Sequence, residues 1–126
     1  MKKVIKTENA PAPIGPYNQA ILAHDTLYIS GQIAIDPKTG QVVNDSLEEE
    51  TLQVLENLKA VLEAAGLSFK NIVKTSIFLS DMDYFSKVNE IYGNYFEGEF
   101  PARETLAVKT LPKNVNVEIS AIAVKF

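Results

Sequence analysis

The chain has no cysteine and no tryptophan, and it carries one histidine and one arginine. Without thiols there is no disulfide framework, no thiolate zinc site, no iron–sulfur cluster and no cysteine nucleophile. A lone histidine, His24, argues against a multi-histidine metal site and against a Ser-His-Asp triad. Cations are outnumbered: 12 basic against 16 acidic side chains give a net charge of −4 and a pI near 5.0. Nucleic-acid binders carry a basic face or a high pI, and here no three basic residues stand together, so nucleic acid is not the expected partner. No window approaches the roughly 18 consecutive apolar residues of a membrane span. Met1-Lys2-Lys3-Val4-Ile5-Lys6 lacks the apolar core of a signal peptide. The expectation is a soluble, cytoplasmic protein with no membrane partner.

What is present suffices for one domain over residues 1–126. At 46% hydrophobic the chain can build a single core without a disulfide or metal staple. Proline clusters early, at Pro11, Pro13 and Pro16, which reads as an ordered loop. Extended segments follow at Tyr17–Leu22 and Thr26–Ile33, with His24-Asp25 as an exposed turn between them. Asp36-Pro37-Lys38-Thr39-Gly40 is a turn. Ser46 and Glu49 suit the start of a helix. Leu52, Leu55, Leu58, Val61, Leu62 and Ala65 recur at helical spacing, and Gly66 ends the run. Glu48-Glu49-Glu50 fits the first turn, where negative charge meets the positive end of the helix dipole.

A strand at Asn71–Ser80 and a second helix from Asp83 to Gly98 come next, the helix carrying Phe85, Val88, Tyr92, Tyr95 and Phe96 as core residues. Strands Arg103–Lys109 and Val115–Phe126 close the chain. With a short strand at Lys2–Lys6 the order is β-β-β-α-β-α-β-β, an α+β two-layer domain with two helices on one face of a mixed sheet. On the last strand Val117, Ile119, Ala121 and Ala123 point one way, while Ile122, Val124 and Phe126 point the other. Two helices cover only one face, so a second copy is expected over the other.

The last two strands read as a hairpin, in which matching apolar residues pairs Val108 with Val115 and Leu106 with Val117. Arg103 and Glu118 then become diagonal neighbours on one face. Two readings follow: a structural ion pair, or a site where the arginine fork grips a carboxylate and the glutamate serves as general base. Tyr17 is a strand aromatic or a pocket wall. Gly31, inside a strand, marks a bulge or a close backbone approach.

Several segments together resemble the RidA (YjgF) family. They are Ile14-Gly15-Pro16-Tyr17-Asn18-Gln19-Ala20, Ile29-Ser30-Gly31-Gln32-Ile33, Gln53–Lys59, Val88–Tyr92, Phe100-Pro101-Ala102-Arg103, and Leu111-Pro112-Lys113 running into Val117-Glu118-Ile119. The resemblance implies a chorismate-mutase-like fold (the bacillus type) and a homotrimer with ligand clefts between subunits. It also implies hydrolysis of reactive 2-imino and enamine acids to 2-keto acids and ammonia, with no metal or organic cofactor. Arg103 matches the residue that binds the substrate carboxylate, and Glu118 the acid that holds or activates water. Tyr17, Ser30, Gly31 and Asn89 match positions around the ligand, and Thr105 stands where many members carry cysteine. Asn18 in place of a common serine and the extra charge of Glu104 depart from the pattern. A carboxylate-sensing trimer without turnover and a chorismate mutase are the rival readings, and the single arginine weighs against the second.

Overall fold

A computed structural model describes all residues from Met1 to Phe126. Alternating apolar residues sort the strands onto one sheet, and the elements follow the expected order. They are β1 (Lys2–Ile5), β2 (Ala20–Ala23), β3 (Thr26–Gln32), α1 (Leu47–Ala64), β4 (Ile72–Leu79), α2 (Phe85–Gly93), β5 (Ala102–Ala107) and β6 (Val117–Val124). The sheet runs β1-β2-β3-β6-β4-β5, antiparallel throughout except for the parallel pair β4–β5. It is a mixed six-stranded α+β arrangement with both helices packed into one core on one face. No helix is long and apolar enough to cross a membrane.

Ser46 caps α1 as its sequence suggests, its Oγ accepting the Glu49 N–H at 3.1 Å. Gly66 ends the helix at φ +76°, a conformation that favours glycine. There the Gly66 N–H donates to Glu63 O and the Leu67 N–H to Leu62 O, which satisfies carbonyls the helix would otherwise leave open. The apolar stripe Val54, Leu55, Leu58, Val61 and Leu62 is fully buried against Leu27, Ile77, Leu79, Val117 and Ile119. Cutting one of those leucines to alanine costs about 2–5 kcal/mol.

The expected terminal hairpin does not form. Strand β5 lies at the sheet edge, parallel to β4, with Thr75 opposite Arg103 and Phe78 opposite Leu106. Strand β6 is inserted between β3 and β4, where Phe78 faces Glu118 and Leu79 faces Val117. A terminal hairpin requires that consecutive strands pair. Here the helix between β4 and β5 makes a crossover that sets those two parallel. The strand with the continuous apolar face, β6, takes the buried centre, and the exposed β5 takes the rim. Arg103 and Glu118 therefore lie on opposite faces of the sheet: Arg103 shares the helix side with buried Thr75, and Glu118 shares the open side with Phe78 and Leu106.

Several boundaries differ from expectation: β5 spans Ala102–Ala107 rather than Arg103–Lys109, β6 spans Val117–Val124 rather than Val115–Phe126, and two others move further. Helix α2 stops at Gly93, not Gly98, because Gly93 and Asn94 are weak helix formers and the Tyr95 N–H tightens onto Tyr92 O at 3.1 Å. Strand β2 begins at Ala20, leaving Tyr17 in the preceding loop. That loop is held by buried Gln19, whose Nε2 donates to the carbonyls of Thr7, Ala10 and Pro11. The uncovered sheet face carries Tyr28 and Leu106, each about half exposed at 50% and 53%.

Candidate functional site

The residues singled out by sequence assemble into two half-sites rather than one. In the first, β3 carries a bulge: Ile29 faces Ala121 and Gln32 faces Ile119, so Ser30-Gly31 contains one residue more than β6 can match. Ser30 is fixed at the bulge, its Oγ donating to Asn18 O at 2.6 Å and its N–H to Gln19 O at 3.0 Å. The Glu118 carboxylate lies over Gly31, and a Cβ built at residue 31 would stand 2.8 Å from Glu118 Cδ. Gly31 is thus both a bulge and a close approach.

Glu118 belongs to a narrow cavity of about 50 Å³ walled by Tyr17, Gln19, Gly31, Ile33 and Pro112. Tyr17 is held over it by the Ile14 N–H, which donates to its hydroxyl at 3.3 Å. Burial pushes the Glu118 carboxyl above the ordinary carboxylate range, and no neighbouring charge or hydrogen bond opposes that shift. A carboxyl so displaced can exchange a proton with a reacting group closer to neutral pH than an exposed one can.

The second half-site surrounds Arg103 at the sheet edge, in an open recess of about 400 Å³ bordered by Asn89, Tyr92, Phe100 and Pro101. Its guanidinium carbon lies 5.5 Å from the ring centre of Phe85 and 5.3 Å from that of Tyr92. One Nη1–H donates to Asn89 Oδ1 at 2.7 Å. Aromatic faces attract the cation and Asn89 fixes its rotation, which leaves most of the guanidinium's five N–H donors for an external acceptor. Tyr92 is anchored in turn by a 2.7 Å hydrogen bond with Thr75 Oγ1, and burial keeps its hydroxyl above its usual pKa. Arg103 forms no salt bridge; the one ion pair is Lys74–Glu104 at 3.2 Å.

Their helical spacing marks Phe85 and Tyr92 as residues of the core alone. Both do pack there, yet they also hold Arg103, and the signal was in plain view. Phe85, Asn89 and Tyr92 sit at i, i+4 and i+7 on one stripe of α2. Thr105 follows Arg103 on the helix side of β5, and its buried Oγ1 has no hydrogen-bond partner. Glu104, on the opposite side, does not neutralise Arg103. It accepts a hydrogen bond from Ser76 and pairs with Lys74, and these hold its carboxyl below the usual range. His24 is an exposed turn residue at φ +54°. No group of three or more histidine, aspartate or glutamate side chains could hold a metal ion.

The family described as Endoribonuclease L-PSP matches residues 7–125. A 2-iminobutanoate/2-iminopropanoate deaminase of Mus musculus is 51% identical over 125 residues, 99% of this chain and 93% of that one. A crystal structure of YyfA from Yersinia pestis, described as a conserved Rid family protein of unknown function, superposes with a TM-score of 0.96. It is 51% identical and the match covers 99% of this chain and 100% of that one. TdcF of E. coli with bound serine superposes at 0.94 with 39% identity, over 98% of this chain and 99% of that one.

Proposed function

Because the chain belongs to the Rid (YjgF, endoribonuclease L-PSP) family, we propose that it hydrolyses small 2-imino acids and their enamine tautomers to 2-keto acids and ammonia. The observation that carries this reading is the state of Arg103. The only arginine is clamped by Asn89 and two aromatic rings, unpaired with any carboxylate, in an open recess. That is an arrangement for a ligand's carboxylate, which a guanidinium fork binds bidentately. The mouse relative's deaminase name and the serine bound to TdcF agree with a small carboxylate ligand.

The site is completed between two copies. Arg103 and Glu118 lie on opposite faces of one sheet, so one chain offers the carboxylate clamp and another offers the Glu118 cavity. A homotrimer that buries the apolar open face around Tyr28 and Leu106 supplies this juxtaposition. Arg103 would fix the carboxylate, with Asn89 as its positioning residue and the Thr105 segment beside it. Tyr17, Ser30 and Gly31 would line the opposite wall.

The chemistry demanded is modest because the C=N carbon beside a carboxylate is already electrophilic. Orientation by Arg103 replaces a bimolecular search by a held geometry. Glu118 takes a proton from water as the water oxygen bonds to the imine carbon, and that proton passes to nitrogen to give the carbinolamine. The hydroxyl then loses its proton through the same carboxylate, the C–N bond breaks, and ammonia leaves as the keto acid forms. Water supplies the oxygen, and no electron is gained or lost.

The test generates an imine in place with an amino-acid oxidase and traps it with semicarbazide. Wild-type protein should suppress trapping and Arg103→Ala should not. Failure of both to suppress it, with trimer present and a keto acid bound, would instead favour the carboxylate-sensing reading.

A further inference from the structure

Glu50 is the one charged side chain in the core, with 0% of its surface exposed, and nothing in the mechanism above uses it. The sequence places it with Glu48 and Glu49 as a first-turn charge of α1, a role suited to solvent. The fold turns it inward. Its Oε2 accepts the Asn116 N–H at 2.7 Å and the Val117 N–H at 3.0 Å, and its Oε1 accepts Asn116 Nδ2 at 2.9 Å. No lysine or arginine neutralises it. Three N–H donors and the positive end of α1 do so instead.

Those donors belong to the two residues just before Glu118. Asn116 is tied further to the end of β4, where Ser80 donates its N–H to Asn116 O at 3.0 Å and its hydroxyl to Asn116 Oδ1 at 2.9 Å. We propose that Glu50 is a positioning residue for Glu118: by holding residues 116 and 117 it sets how the Glu118 carboxylate lies over Gly31. The inference rests on the reading of Glu118 as the proton-transfer group. A carboxylate offers acceptors to all three donors at once, whereas glutamine offers a single oxygen, so the Asn116 amide would have to turn over and exchange its contact with Ser80.

The geometry makes the consequence specific. Glu50 supports the cavity half-site and touches nothing around Arg103, so its loss should fall on turnover and spare carboxylate binding. A misplacement of about 1 Å can reduce rate roughly a hundredfold. Glu50→Gln should lower kcat about tenfold to a hundredfold with KM for the imino acid within about twofold of wild type. Asn116→Ala, which keeps both backbone donors, should move kcat in the same direction by less. Glu56→Gln, on the outer side of α1 where it accepts from Tyr95, should leave kcat alone. In parallel, the ¹³C carboxyl resonance of Glu118 is titrated in the assembled protein, a readout that needs no turnover. The Glu118 midpoint should fall towards the ordinary glutamate value in Glu50→Gln and in Asn116→Ala. Unchanged kcat per folded protein and an unchanged Glu118 midpoint in Asn116→Ala would overturn the proposal, whether or not Glu50→Gln folds. If wild type shows no imine hydrolysis, the functional reading fails, while the Glu118 titration still decides the positioning role.

Discussion

Glu118 fills the space in which residue 31 would carry a side chain: a Cβ on Gly31 would stand 2.8 Å from Glu118 Cδ and 3.0 Å from its Cγ. Backbone and carboxylate are thus mutually fitted across two neighbouring strands. The fit makes position 31 a test of whether the carboxylate's location, and not just its presence, matters.

Gly31→Ala should leave the fold nearly intact, because the colliding atoms belong to a side chain that can swing away. The stability loss should stay within the roughly 1–3 kcal/mol of local overpacking. Displacing the carboxylate should nevertheless lower kcat for imine hydrolysis by about ten- to a hundredfold. Thermal melts and steady-state rates on one sample separate the two effects. A wild-type kcat in a folded Gly31→Ala protein would show that the placement of Glu118 is immaterial.

The raised pKa of Glu118 gives a pH dependence of definite sign. Burial disfavours its ionised form, so the fold binds this proton more tightly than the unfolded chain does. Its contribution to stability is therefore fully present below the unfolded pKa and is lost as pH rises through the folded one. Glu118→Gln removes a half-buried carboxyl whose ionised form burial disfavours. That variant should melt at a higher temperature than wild type while losing turnover. In wild type the acidic limb of kcat/KM should lie above the ordinary glutamate range. A limb at the ordinary value, or a Glu118→Gln protein less stable than wild type at neutral pH, would contradict the assignment.

The order of strands and helices was legible because each element carries its own punctuation, such as Ser46 and Gly66 around α1 and the apolar alternation of β6. The sheet order was not. Pairing Leu106 with Val117 satisfied every local rule, since apolar faced apolar, but a strand that arrives from earlier in the chain can satisfy the same rule. Leu79 does so in the fold, opposite Val117. Local pattern decides which face of a strand is buried; which strand lies beside it depends on the crossover helix. Arg103 and Glu118 were therefore identified as residues but joined in the wrong way, and Phe85 and Tyr92 were seen as core without the cation that lies against them.

Arg103 should not be replaceable by lysine. The aromatic rings and Asn89 orient a planar fork, whereas an ammonium offers a point charge. Losing one charge-assisted hydrogen bond costs about 1.5–3 kcal/mol. Arg103→Lys should thus raise KM by roughly ten- to a hundredfold, and Arg103→Ala should abolish measurable hydrolysis with the assembly intact. Asn89→Ala should raise KM more mildly, since the rings remain. Equal KM values for the lysine variant and wild type would remove the bidentate clamp from the mechanism.

The placement of Arg103 and Glu118 on opposite sheet faces leads to the most discriminating experiment. Leu106 and Tyr28 lie half exposed on the face that carries Glu118, so Leu106→Glu should yield monomers by light scattering and lose activity although neither half-site is touched. Complementation then asks the question without disrupting assembly. Arg103→Ala retains a sound Glu118 cavity, and Glu118→Gln retains a sound arginine clamp. Each alone should be inactive. Co-expressed in equal amounts, they meet in the productive orientation at about a quarter of the interfaces of a closed ring, so the mixture should recover about a quarter of wild-type activity. If each site were built within one chain, every site in the mixture would carry one defect or the other, and no activity would return.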